Sequence, residues 1–115
     1  EVIDLGPFND ERVDYPDYSH ALCLEVLKNS GTQGILICGS GIGMSLAANK
    51  HVGIRAALCH DAYTAEMARA HNDANVLCFG QRIVGLGVVE SMLKAWCATS
   101  FEGGRHAERV EKLEL

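Results

Sequence analysis

Basic side chains are in short supply. Ten lysines and arginines face fifteen aspartates and glutamates, giving a net charge of -5 at pH 7 and a pI near 5.4. Such a balance provides no basic stripe to neutralise a phosphate backbone, which excludes a general nucleic-acid binder and leaves any anionic ligand dependent on locally placed cations. Long apolar runs are missing too: no stretch approaches the roughly 20 residues that span a bilayer, and Glu1-Val2-Ile3-Asp4 is not the start of a signal peptide. A soluble cytoplasmic protein without membrane contact is expected. The five cysteines (Cys23, Cys38, Cys59, Cys78 and Cys97) are odd in number and lack CxxC or Cys/His spacing, so neither a disulfide framework nor a zinc site is indicated. All but Cys38 read as small buried apolar residues.

What is present is an alternation of short strand-like and helix-like segments with brief links and no repeat or low-complexity stretch. At 115 residues the chain fits one domain, 1–115, able to bury a core but small for a self-sufficient enzyme pocket, so a partner subunit is expected to complete any site. Residues 1–5 alternate polar and apolar and read as a strand entering a loop at Gly6-Pro7. Asp14-Tyr15-Pro16 offers an N-cap and a first-turn proline for a helix stopped by Asn29-Ser30-Gly31. Residues 34–38, 54–59 and 76–79 are apolar runs of the kind covered on both faces. Helices are expected over 43–51, from an Asp61 cap through His71, over 87–99 and over 105–113. The pattern implies crossover connections and an α/β fold, a Rossmann-like three-layer sandwich around a mainly parallel sheet. Ligands of such sheets bind beyond the carboxyl ends of the strands, which here means the loops at 39–42, 60–61 and 80–82.

The stretch "ILICGSGIGMS" places Cys38 ahead of glycines at 39, 41 and 43. Glycines so spaced let the backbone turn its amides toward one point, and the following helix adds its positive end. An anion would be stabilised there, and the same field would lower the pKa of Cys38 if its side chain points into the loop. The plain alternative is a buried thiol before an ordinary turn. A dinucleotide fingerprint fits poorly, because Gly43 comes one residue early, although Asp61 falls at a suitable distance. A cysteine phosphatase would carry an arginine where this sequence has Met44. Proton transfer next to a carbonyl, with Cys38 as base and the loop amides holding an enediolate oxygen, remains open. It requires a separate anchor, and "EGGRHAERV" sets Arg105 and Arg109 four apart on one helix face, able to grip a phosphate. A solvated face with Glu108 and Glu111 as partners is the alternative. His71 could relay protons or cap its helix; His20 and His51 sit within helices without partners, and His60 and His106 are undecided.

Together, "CGSGIGMSLAANK", "HNDANVLCFGQRIVG" and "FEGGRHAERV", with "EVIDLG" and "DYPDYS" before them, resemble the ribose-5-phosphate isomerase B family over essentially the whole chain. The resemblance implies an aldose–ketose isomerase that interconverts ribose 5-phosphate and ribulose 5-phosphate through a cis-enediolate, without metal or organic cofactor. It implies Cys38 as the base and the amides of Gly39, Ser40, Gly41, Ile42, Gly43, Met44 and Ser45 as the anion hole. Ser40, where many relatives have threonine, and His71 would assist ring opening. Asn72 would contact the enediolate or a hydroxyl, Tyr15 would line the pocket, and Arg82, Arg105 and Arg109 would serve the phosphate, Arg82 reaching toward a neighbouring subunit. A homodimer, or a tetramer built on it, with the site at the interface is implied. Relatives also carry a further strand and helix ahead of the counterpart of Glu1, ending in an Asp-His pair, and the sequence has no counterpart of either. On the resemblance, residues 1–115 alone should leave a gap or an unprotected sheet edge and be weakly active or inactive. Hexose 6-phosphates are the alternative substrates, and a noncatalytic sugar-phosphate or nucleotide-binding module the alternative class.

Overall fold

The computed structural model describes residues 1–114. Helix α1 (Tyr15–Lys28) leads to strand β1 (Gly34–Cys38), helix α2 (Ile42–Ala48), strand β2 (Ala56–Leu58), helix α3 (Ala62–Asn72), strand β3 (Val76–Gly80), helix α4 (Leu86–Ala98) and helix α5 (Arg105–Lys112). The strands form one parallel sheet in the order β1-β3-β2, with Gly34 opposite Val76, Cys38 opposite Gly80, and Ala56 also opposite Val76. Each crossover carries a helix, as parallel strands require. β3 is central and buried at all five positions.

Two apolar layers flank the sheet. On one face Cys23 and Val26 of α1 and Met44 and Ala48 of α2 pack on Leu36, Val76 and Cys78. On the other, Ala65 and Ala68 of α3 and Met92 and Trp96 of α4 pack on Leu77 and Phe79. Alternate residues of β3 thus feed opposite layers, which is why its sequence is apolar throughout.

Several expectations are corrected. Residues 1–5 form no strand: their alternation suits a half-buried strand, but no described strand lies beside them to accept the backbone bonds. β1 is not covered on both faces. Leu36 is 4% exposed, whereas Ile35 and Ile37 are 43% and 49% exposed, because the helices on that side sit over β3. Among the described residues the outer edge of β1 is unpaired, a surface that proteins usually cover. β2 is shorter than the run 54–59, since the Ile54 amide is bonded to His51 O and that of Arg55 to Asn75 Oδ1. Its outer edge is capped by Asn49, whose side chain bonds both backbone groups of Ala56 at 2.8 and 2.9 Å. α2 stops at Ala48, so His51 stands beyond it and does have a partner: His20 Nδ1 and His51 Nε2 are 2.7 Å apart. Cys97 is exposed rather than buried, lying on the outer side of α4.

Candidate active site

Cys38 ends β1, and the next three residues turn the chain into α2. Gly41 adopts a left-handed conformation (φ 81°), and a Cβ there would lie 2.6 Å from Leu58 and 2.7 Å from the Phe79 backbone. Both the dihedral and the space therefore demand glycine. Gly41→Ala should cost at least about 2 kcal/mol of stability, read as a lowered urea midpoint. At Gly43, the second position of α2, a Cβ would collide with the Tyr15 ring at 2.5 Å; α1 thereby brings its first residue, half exposed, against the first turn of α2.

The turn does aim its amides at the thiol. Gly41 N–H donates to Cys38 Sγ at 3.1 Å. Burial opposes ionisation of this half-buried cysteine, but the amides of Met44, Gly41, Ser40 and Gly43 outweigh it and bring the thiol below its usual range. Two amides of the cradle are committed elsewhere: that of Ile42 donates to Ser40 Oγ at 3.2 Å, and that of Ser45 to the Gly41 carbonyl at 3.1 Å. The Ser45 hydroxyl is likewise spent, on Ile42 O at 2.7 Å. Cys23, Cys59 and Cys78 behave oppositely; burial raises all three, Cys78 to about 12. At neutral pH iodoacetamide should modify Cys38 well before these three, a rate that peptide mapping follows; equal resistance of all four would contradict its thiolate character.

The loop after β3 closes over the same place. Gln81 N–H donates to Cys38 O at 2.8 Å and Arg82 N–H to Gly39 O at 3.0 Å. The Arg82 guanidinium folds back against Gly39, where a Cβ would stand 3.2 Å from it. Tyr15, Cys38, Ser40, the amide turn and Arg82 thus share the carboxyl end of the sheet.

The remaining candidates sit at the other end. α3 starts beside the carboxyl end of β2 and runs back, so His71 and Asn72 lie just before Val76, where β3 begins. Asn72 borders a groove with Asn49, Arg55 and Leu113. α3 ends at Asp73 (φ 47°), whose carboxylate is held by Arg69 at 3.0 Å and Arg55 at 3.5 Å. α5 packs on α3 there: the rings of His71 and His106 stack with centroids 4.2 Å apart. Glu102, tied by its amide to Ala70 O at 2.9 Å, places a carboxylate oxygen 3.8 Å from His71 Nε2 and 3.5 Å from His106 Nε2. Arg105 and Arg109 are exposed, and among the described residues neither forms an ion pair; Glu108 and Glu111 do not engage them. One chain therefore separates Cys38 from His71, Asn72, Arg105 and Arg109 by the length of β3, on the order of 15 Å.

These two clusters lie on a chain whose residues 1–113 match the family model described as Ribose/Galactose Isomerase. The chain belongs to the ribose/galactose isomerase family. It is 50% identical over 113 residues to "Ribose-5-phosphate isomerase B" of Escherichia coli, covering 98% of this chain and 76% of that protein. A "Putative sugar phosphate isomerase" of Bacillus subtilis is 46% identical, with 98% and 76% covered. Among solved structures, the ribose-5-phosphate isomerase B of Clostridium thermocellum superposes with a TM-score of 0.96 at 48% identity, over 99% of this chain and 77% of that one. The type B ribose 5-phosphate isomerase of Trypanosoma brucei gives 0.92 at 52%, over 96% and 74%. This family member thus spans about three quarters of the length of those relatives. Their fold is the Rossmann-like α/β arrangement seen here. The stacked His71–His106 pair and Glu102 are what the sequence reading missed; the only signal for Glu102 was its place in "FEGGRH", beside the arginines.

Proposed function

We propose that the chain is an aldose–ketose isomerase acting on ribose 5-phosphate and ribulose 5-phosphate, with Cys38 as its acid–base residue. The observation that carries this reading is the cradle of amides that turns toward a partly exposed thiol and lowers its pKa. In the open-chain sugar the thiolate takes the proton from C2 while negative charge develops on the carbonyl oxygen. The hydroxyl proton passes from O2 to O1 across the cis-enediol, and the thiol returns its proton to C1, leaving the ketose. Amides already aimed at a thiolate are placed to share their field with an enediolate oxygen bound beside it.

His71 and Ser40 serve ring opening in this reading, Asn72 holds a hydroxyl, Tyr15 walls the pocket, and Arg82, Arg105 and Arg109 receive the phosphate. The distance between the two clusters supports a site shared across a homodimer: Cys38 and Arg82 of one chain meet His71, Arg105 and Arg109 of the other, and a two-fold axis makes two such sites. No described helix is long and apolar enough to cross a membrane. A cytoplasmic place belongs to the same reading, because a doubly charged sugar phosphate does not cross a bilayer unaided and is met where it is made. The family description names galactose beside ribose, so hexose 6-phosphates are the second reading. One extra carbon changes binding by only about 1 to 3 kcal/mol. The test is incubation in D2O with ribose 5-phosphate, allose 6-phosphate and galactose 6-phosphate, following ketose formation and deuterium uptake by NMR. Exchange fastest on the pentose supports the first reading; exchange fastest on a hexose replaces the substrate; none on any replaces the enzyme with a binding module.

A further inference from the structure

Glu102 and the two stacked histidines lie together without a close hydrogen bond between them. The carboxylate oxygen is 3.5 Å from His106 Nε2 and 3.8 Å from His71 Nε2, at and beyond the limit of a hydrogen bond. The three side chains come from different elements, the end of α3, the α4–α5 link and the first turn of α5, yet their ligand atoms all lie within 4.8 Å of one another. Around zinc, ligands about 2.0 to 2.2 Å from the ion at tetrahedral angles stand about 3.3 to 3.6 Å apart. The two carboxylate–imidazole spacings, 3.5 and 3.8 Å, fall at and a little beyond that edge, and two imidazoles with one carboxylate form a donor set that leaves a fourth position open.

We propose that His71, Glu102 and His106 form a zinc-binding site, and that zinc held there inhibits the enzyme by occupying His71. The binding half stands without the isomerase reading; the inhibitory half rests on it. Because the rings stack at 12°, one imidazole must turn about its Cβ–Cγ bond to bring both lone pairs onto one ion. His71, 38% exposed at its side chain, is free to make that turn, whereas His106, 10% exposed, is held by packing. Arg105 and Arg109 lie on the same helix as His106. The nearby guanidiniums disfavour hard cations bound only by charge, which selects an ion that bonds imidazole nitrogen, zinc over magnesium or calcium. Glu102 and His71 remain open to solvent, so the ion has a way in.

Two measurements test the proposal on the whole chain. In a Cys38→Ser/Cys97→Ser protein, where neither accessible thiol competes, zinc affinity is determined by calorimetry and cadmium-113 NMR reports the ligand type. Glu102→Gln and, separately, His106→Gln should weaken zinc binding at least about tenfold, and the cadmium signal should fall in the nitrogen and oxygen range. Unchanged affinity in both variants, or a signal in the far-downfield thiolate range, overturns the site. In the protein with its cysteines intact, isomerase activity lost to zinc should return with EDTA, and Glu102→Gln should require at least about tenfold more zinc for the same inhibition. Inhibition equal in the two proteins overturns the inhibitory half, and its cause is then the Cys38 thiol. Absence of isomerase activity before zinc is added overturns the isomerase reading alone, and the calorimetric result still stands.

Discussion

Cys38→Ser should lower kcat by about a thousandfold while KM shifts by less than about threefold, because a base acts on the transition state and not on the bound substrate. Deuterium exchange at C2 should vanish in parallel. The variant is gentle structurally, since Cys38 lies half buried at a strand end and serine keeps an acceptor for the Gly41 amide. What it removes is a group whose ionisation the turn favours. The four amides that hold the thiol below its usual range would have to stabilise an alkoxide instead, far outside their reach. The pH profile carries the same content. Activity should rise with pH through the lowered pKa of Cys38 and reach its plateau below the range of an ordinary thiol; the serine variant should show no such limb. Full activity in Cys38→Ser would remove the thiol from the mechanism and return the glycine turn to a simple anion cradle.

Local patterns account for what was legible in the sequence. Glycines at 39, 41 and 43 after an apolar run announced the turn, since a left-handed residue pressed against Leu58 and Phe79 admits nothing else. The three parallel strands were legible because β3 is apolar at every position and each crossover has a helix-like segment between short links. Partners were less visible. The segment 1–5 alternates as a strand does, yet pairing is a long-range property, and no strand lies alongside it among the described residues. The exposure of Ile35 and Ile37 likewise depends on which strand sits at the edge. His20 and His51 are 31 residues apart in sequence and adjacent in space, as are His71 and Glu102; no spacing rule reaches so far. The candidate site suffered most from this. Motifs read in a line suggested one pocket, whereas a helix that runs back along the sheet puts His71 at the opposite end from Cys38.

That separation makes a mixed-dimer experiment decisive for where the site is assembled. Cys38→Ser and His71→Ala should each be nearly inactive alone. In a dimer of one chain of each kind with shared sites, one site receives both substitutions and is dead, while the other combines the native Cys38 and His71 and is whole. Random exchange of a 1:1 mixture makes half the dimers mixed, so activity should recover to about a quarter of the native level. If each chain builds its own site, every site in the mixture carries a defect and nothing recovers. Arg105→Ala belongs to the same logic: it should complement Cys38→Ser but not His71→Ala, because Arg105 and His71 share one end of the same chain. Recovery with the first partner and not the second would assign the phosphate grip and the ring-opening histidine to one protomer and the base to its partner.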